Sequence, residues 1–158
     1  MALEQGDSAL IGQRGGDSSA NRAPAENAMS EERAVSVRIA VAEDEPDIRR
    51  TFVLLLELMG HKVVYSVSNG AELLEQSLDD KVDIVFVDLD MPVMDGLAAA
   101  EKVERKGIPV ILVSGHPDSE SVVVAQEPVV TRITKPATPK LIQEAIVQAM
   151  ASRRTKPR

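Results

Sequence analysis

The sequence predicts an α/β fold in which a parallel sheet of five strands is covered on both faces by helices. From Val35 onward, short and almost entirely apolar runs alternate with segments of helical periodicity. In addition, charged and hydroxyl residues gather directly after the apolar runs. Parallel α/β sheets bind ligands beyond the carboxyl ends of their strands. The sequence therefore predicts a ligand site at one edge of the sheet.

The first two strands and the first two helices alternate along the chain. Residues 37–42 and 62–67 are short runs dominated by apolar and β-branched side chains, which predicts strands. Residues 46–59 between them predict a helix that Gly60 ends. Asn69 then predicts the start of a second helix, because its side chain can accept a hydrogen bond from a free N–H of the first turn.

The third helix is predicted between the third and fourth strands. The apolar runs at residues 82–87 and 110–113 predict strands that are buried on both faces. The helix between them, at residues 96–106, follows a turn and cap at Asp95 and is stopped by Gly107.

The last third of the chain predicts a helix, a strand and a final helix. The helix at residues 119–126 contains three consecutive valines, which have poor helix propensity. Residues 129–133 predict the fifth strand. Residues 139–151 predict the last helix, because their apolar side chains fall on one stripe.

Composition argues against several classes of function. The chain of 158 residues has no cysteine, which excludes disulfide scaffolds and thiolate zinc sites. Its net charge of −7 and its three aromatic residues argue against nucleic-acid binding, which needs basic surfaces and stacking platforms. No apolar run approaches the roughly 20 residues that span a bilayer, and the first residues do not resemble a secretory signal. We therefore expect a cytoplasmic protein that binds neither nucleic acid nor membrane.

Three segments are predicted from the distribution of residue types. Residues 1–34 are rich in Gly, Ser, Ala and Asn, and they cannot bury enough apolar surface to offset the entropy of ordering. We expect them to form a disordered or partly helical extension. Residues 35–151 form the predicted domain, and residues 152–158 form a basic tail.

Residues that can carry chemistry follow four of the predicted strands. In chain order they are Glu43, Asp44, Glu45, Asp88, Asp90, Ser114 and Lys135. Two carboxylates held together, such as Asp44 and Asp88, repel each other unless a cation lies between them. Carboxylates, water and phosphate oxygens are ligands that Mg²⁺ prefers. A metal ion, an ammonium group, a hydroxyl and a nucleophilic carboxylate form a site suited to a phosphoryl group.

Four segments occur in a specific order: VAEDEP at residues 41–46, VDLDMPVMDG at 87–96, LVSG at 112–115 and TKP at 134–136. Together they resemble the motifs of the response-regulator receiver domains of bacterial two-component signalling, over residues 37–150. The resemblance implies a flavodoxin-like, doubly wound sheet of order 2-1-3-4-5 with five helices. It also implies a regulator that is not a turnover enzyme on a separate substrate. With no output domain in this sequence, we expect a stand-alone regulator.

The resemblance assigns roles by position. Asp88 corresponds to the phosphoacceptor and Asp44 to an Mg²⁺ ligand, with Glu43 assisting through a water molecule and Asp90 supplying its backbone carbonyl. Ser114 corresponds to the switch hydroxyl and Lys135 to the phosphate-binding lysine, with a cis bond to Pro136. The implied partner is a sensor histidine kinase or a phosphotransfer protein. A downstream partner and a homodimer are left open.

Two positions depart from the family pattern. Arg132 stands three residues before the lysine, where an aromatic side chain is usual, and Ala137 stands where a bulky residue is common. A guanidinium cannot enter an apolar slot without a large desolvation cost. We therefore expect Arg132 to keep its guanidinium in water and to contact a carboxylate of a partner or of a second protomer.

A haloacid-dehalogenase phosphatase also uses Asp-x-Asp, here Asp88-Leu89-Asp90, but normally after the first strand. A pseudo-receiver that only binds proteins would be expected to have lost a key residue of the motifs, whereas all of them are present here.

For Glu45 and Asp47 we favour the role of helix amino-terminal charges. We expect His61 to be a solvated loop residue, and whether His116 reaches the phosphoryl site is left open.

Overall fold

Five parallel strands form a single sheet in the computed structural model, which describes residues 35–116 and 131–155. The strands are β1 (Arg38–Ala42), β2 (Lys62–Val67), β3 (Ile84–Asp88), β4 (Val110–Ser114) and β5 (Thr131–Thr134). They pair in the order β2-β1-β3-β4-β5, and every pairing is parallel. The predicted fold class and strand order are confirmed.

The described residues contain four helices, whereas five were predicted. They are α1 (Pro46–Leu58), α2 (Gly70–Glu75), α3 (Gly96–Glu104) and α4 (Pro139–Thr155). The helix predicted at residues 119–126 and the extension predicted at residues 1–34 both lie outside the described residues. None of the described helices is long and apolar enough to cross a membrane.

Local sequence explains where most of the helices begin. Proline occupies the first position of α1, where its missing N–H costs no helical hydrogen bond. Oδ1 of Asn69 accepts a hydrogen bond of 2.9 Å from the N–H of Glu72 at the start of α2. The predicted cap at Asp95 is also confirmed, since its Oδ1 accepts from the N–H of Leu97 at 3.0 Å.

The last helix is longer than its apolar stripe predicts. It was expected to end near residue 151 and instead continues to Thr155, so the predicted basic tail begins as helix. Nη1 of Arg153 lies 3.1 Å from Oδ1 of Asp83, which also binds Arg38 of β1. This ion pair stabilises the last turn of the helix against the start of the sheet.

The sheet separates two hydrophobic cores, because successive side chains of a strand point to opposite faces. Ile39 and Val41 of β1 contribute to a core that α1 and α4 cover. Ala40 and Ala42 contribute to a second core that α2 and α3 cover. Complete burial of one Val, Leu, Ile or Phe side chain stabilises a fold by about 1.5–3 kcal/mol. The two cores therefore hold the strand ends of the sheet in fixed positions.

His61 is buried, which contradicts the expectation of a solvated loop residue. Only 6% of its surface is exposed. β2 begins at the next residue, Lys62. The N–H of Lys62 donates to the carbonyl of Val37 at 3.0 Å, so the turn that contains His61 lies against the residue that precedes β1. Nδ1 of His61 accepts a hydrogen bond of 3.5 Å from the N–H of Val37. Burial lowers the pKa of His61, because it disfavours the charged form of the ring.

Candidate functional site

The loop after β1 brings two carboxylates to the carboxyl edge of the sheet. The side chain of Glu43 is buried and that of Asp44 is half-buried. The N–H of Glu43 donates to the carbonyl of Val67 at 3.1 Å, which continues the pairing with β2. Nη1 of Arg49 donates to the carbonyls of Glu43 at 2.6 Å and Asp44 at 3.3 Å. Arg49 thus stabilises this loop, a role that no motif in the sequence indicates.

Asp88 is the last residue of the central strand β3. It is 3% exposed, and its backbone pairs with Val113 of β4. The N–H of Asp90 lies 3.4 Å from Oδ1 of Asp88, so the turn after the strand also faces this carboxylate. The side chain of Asp90 is itself about half exposed. After β3, Asp88 is therefore the buried carboxylate, and Asp90 faces it with its backbone N–H.

Lys135 reaches across the sheet edge to two carboxylates. Its Nζ lies 2.9 Å from Oε2 of Glu43 and 3.3 Å from Oδ2 of Asp88. Its backbone N–H donates to the carbonyl of Ser114 at 2.7 Å, which fixes the chain beyond β5. The predicted cis bond between Lys135 and Pro136 is confirmed. Residues far apart in the chain thus form one charged cluster.

The cluster has more negative than positive charge. One carboxylate oxygen from each of Glu43, Asp44 and Asp88 lies within 4.8 Å of the others. Burial, reinforced by the charge of Asp88, raises the pKa of Glu43 even though Lys135 acts in the opposite direction. Burial alone would lower the pKa of Lys135, but its hydrogen bonds and ion pairs with Glu43 and Asp88 outweigh burial and raise it. Close, hard oxygen ligands with unbalanced charge fit Mg²⁺.

Ser114 and His116 lie on the neighbouring strand end. Ser114 is completely buried at the end of β4, one residue beyond the partner of Asp88. Its Oγ accepts a hydrogen bond of 3.2 Å from the N–H of His116. Nε2 of His116 lies 3.9 Å from Oδ2 of the Asp90 side chain. His116 therefore lies near the edge of the site, beside the Asp90 side chain.

Arg132 lies within β5, before the carboxyl edge of the sheet that carries the acidic residues. It pairs with Leu112 of β4, two residues before the end of each strand, and its side chain is half-buried. Because paired residues of neighbouring strands point to the same face, Arg132 lies on the sheet face that carries α2 and α3. The residues that the structure brings together are Glu43, Asp44, Asp88 and Lys135, with Ser114 at the adjoining strand end.

Comparisons with known proteins agree with this arrangement. The family model described as response regulator receiver domain matches residues 39–147. The transcriptional regulatory protein PdtaR of Mycobacterium tuberculosis is 36% identical over 80 residues, which are 51% of this chain and 39% of that protein. The transcriptional regulatory protein GlrR of Escherichia coli is 30% identical over 115 residues, which are 71% of this chain and 26% of that protein.

Solved structures share the same fold. The PhyR response regulator REC domain of Erythrobacter litoralis superposes with a TM-score of 0.65 at 23% identity, covering 78% of this chain and 95% of that one. The response regulator PhyR of Brucella abortus gives a TM-score of 0.63 at 27% identity, covering 74% of this chain and 49% of that one. The matched segments span between 14% and 39% of the curated relatives' own lengths. Those relatives therefore contain further segments outside the match.

Proposed function

The chain belongs to the response regulator receiver domain family, and we propose that it accepts a phosphoryl group on Asp88 from a sensor histidine kinase or a phosphotransfer protein. The observation that carries the proposal is the position of Lys135, whose Nζ lies 3.3 Å from Oδ2 of a buried Asp88. A buried carboxylate beside a lysine ammonium, at an edge crowded with acid, is poised for phosphoryl transfer rather than for structural support.

The proposed step is a transfer between two protein groups. A carboxylate oxygen of Asp88 attacks the phosphorus atom, the bond to the donor's imidazole nitrogen breaks, and an acyl phosphate forms on Asp88. Lys135 supplies positive charge to the phosphoryl oxygens, and the Ser114 hydroxyl donates a hydrogen bond to one of them. The receiver fold is not in itself a turnover enzyme, so the chain acts on its own side chain.

The residues present fit a divalent metal ion. Asp44 and Asp88 would hold Mg²⁺ directly, Asp90 would supply its backbone carbonyl, and Glu43 would act through a water molecule. When bound, the ion neutralises charge on the phosphoryl oxygens. The carboxylates of Asp44 and Asp88 would then lie side by side without uncompensated repulsion.

The proposed output is a change in protein–protein contact. Phosphorylation replaces the single negative charge of the Asp88 carboxylate with a phosphoryl group that carries about two. Lys135, which divides its hydrogen bonds between Glu43 and Asp88, would shift toward the phosphoryl group. Its backbone N–H is bound to the carbonyl of Ser114 at 2.7 Å, so this shift acts on the ends of β4 and β5. We assign the responding surface to the side of the sheet formed by β4 and β5, with Arg132 of β5 as a contact residue.

The test is phosphorylation of the isolated chain. Wild-type protein incubated with acetyl phosphate and Mg²⁺ should acquire one acid-stable, hydroxylamine-labile phosphoryl group. Asp88→Asn should acquire none. Asp90→Asn is the matched control, since its side chain is about half exposed, and it should still be labelled. Labelling that survives Asp88→Asn unchanged would refute the assignment.

A further inference from the structure

A cavity of about 600 Å³ opens beside Asp88, between α1 and the turn that connects β5 to α4. Its walls are mainly hydrocarbon, and they include Ile48, Phe52 and Leu55 of α1 and Ala137 of the turn. Sites for small molecules in proteins have volumes of about 300–1,000 Å³ and combine apolar walls with a few polar groups. The cavity has the size and the lining of such a site.

The small side chain of Ala137 keeps the cavity open. Ala137 is half-buried and packs against the core that α1 and α4 cover. A larger side chain at this position would occupy space that Phe52 and Leu55 border. The rings of Phe52 and Phe86, which both line the cavity, meet edge to face with centroids 5.2 Å apart. They present an aromatic surface to any occupant.

The polar end of the cavity has an excess of negative charge. Among the described residues, its charged lining consists of Glu43, Asp47 and Asp88 against Lys135. The ammonium of Lys135 is already bound to Glu43 and Asp88. Asp47 lies at the mouth with 86% of its side chain exposed, and its carboxylate has a long contact of 3.6 Å to Arg50. The charge that complements this end is therefore positive.

We propose that this cavity binds a small organic amine. Its protonated nitrogen lies at the carboxylates of Glu43 and Asp88, and its aromatic or branched hydrocarbon body packs against Ile48, Phe52 and Leu55. The carboxylates of Glu43 and Asp88 also belong to the acidic cluster that fits a divalent metal ion. The amine and Mg²⁺ therefore compete for the same negative charge. Binding of the amine does not depend on the proposed function. A bound amine beside Asp88 would also inhibit phosphorylation, and that consequence rests on the proposed function.

Three probes with similar bodies test whether charge selects the occupant. 2-Phenylethylamine, 2-phenylethanol and phenylacetate are titrated into unphosphorylated full-length protein at pH 7 without divalent metal, with binding followed by NMR. The amine should bind at least about tenfold more tightly than the alcohol, because an ion pair at a partly buried site adds to the apolar contact. Phenylacetate should bind more weakly than either. Equal affinities for amine and alcohol, or no binding of the amine, would overturn the proposal.

Variants test where the amine binds. Ala137→Phe should fill the cavity and weaken amine binding at least about tenfold. Ala98→Phe is the matched control, because Ala98 is exposed on α3 at the opposite face of the sheet, and it should leave binding unchanged. Should Ala137→Phe fail to fold, Ile48→Lys places a cation at the partly exposed mouth and should weaken binding to a similar degree. Unchanged binding in a folded variant of either kind would contradict the assignment.

Metal competition provides an independent readout. Added Mg²⁺ should raise the apparent dissociation constant of 2-phenylethylamine, and the rise should be linear in the Mg²⁺ concentration. An apparent constant that Mg²⁺ does not change would place the amine away from Glu43 and Asp88 and would overturn the proposal. If amine binding fails while Asp88 is still phosphorylated, the proposed function stands without this site. If the amine binds while Asp88 is not phosphorylated, the amine site stands and the proposed function fails.

Discussion

Nζ of Lys135 lies 2.9 Å from Oε2 of Glu43, and this ion pair joins the ends of β5 and β1. Two other strands, β3 and β4, lie between these strand ends in the sheet. Because Glu43 is buried, removal of Lys135 leaves a carboxylate that solvent cannot easily reach.

Lys135→Ala should still allow some phosphorylation of Asp88. It should weaken the coupling between phosphorylation and the conformational change, because the ammonium is the positive partner of the new phosphoryl charge. In the metal-free variant the pKa of Glu43 should rise further, since Lys135 lowers it in the wild type. NMR titration of the carboxyl groups and binding of the phosphorylated form to a partner measure the two effects. Lys140→Ala, an exposed lysine on α4, is the control. A phosphorylated Lys135→Ala that behaves like wild type would show that Lys135 does not transmit the signal.

Arg132→Ala should leave the rate of Asp88 phosphorylation nearly unchanged and should weaken self-association or partner binding. The reason is its position, opposite Leu112 and below the sheet edge that carries the carboxylates. Phosphotransfer assays and analytical ultracentrifugation measure the two quantities, with the exposed Arg105 of the α3 terminus replaced by Ala as the control. Slower phosphoryl transfer with intact association would instead assign Arg132 to the site.

Asp83→Asn should lower the free energy of unfolding by about 2 kcal/mol at pH 7. Hydrogen bonds from Arg38 lower the pKa of Asp83 to about 2, against a partial opposing effect of burial, and Arg153 contributes further. A carboxyl group whose pKa is lowered by folding adds stability above its unfolded pKa, near 3.8, and loses it as the pH falls toward 2. Urea unfolding at pH 7, 4 and 2.5 should therefore show a difference that shrinks with acidification. Asp79→Asn, whose contact with Lys106 is exposed and 3.8 Å long, should have little effect at any pH.

Gly96→Ala should destabilise the protein by about 1–3 kcal/mol. A Cβ at this position would lie 2.9 Å from Cα of Leu89 and 3.0 Å from the carbonyl carbon of Asp88, and closer still to the Asp88 carbonyl oxygen. These are backbone atoms of the strand end, so relief of the clash should displace Asp88 and also reduce Mg²⁺ affinity. Gly115→Ala lies at the same edge with open space around it and should change stability little. Equal stabilities of the two variants in thermal unfolding would exclude this contact as the cause.

Much of the candidate site could be predicted because chemistry-bearing residues follow strands directly. Asp44, Asp88 and Lys135 each come immediately or almost immediately after an apolar run. Parallel strands bring such ends to one edge whatever the intervening loops contain. The resemblance then supplied the strand order and the individual roles, which composition and spacing alone do not distinguish.

The sequence by itself determined the α/β class, the strands and the types of residue at their ends, because periodicity and strand endings are properties of consecutive residues. The tertiary structure alone decided that His61 is buried, that Arg49 binds the loop after β1, and that Lys135 pairs with Glu43 as well as Asp88. It also decided that α4 continues to Thr155, where Asp83 binds Arg153. Burial and ion pairing depend on which distant residues meet in space, and that information is absent from any local window of the chain.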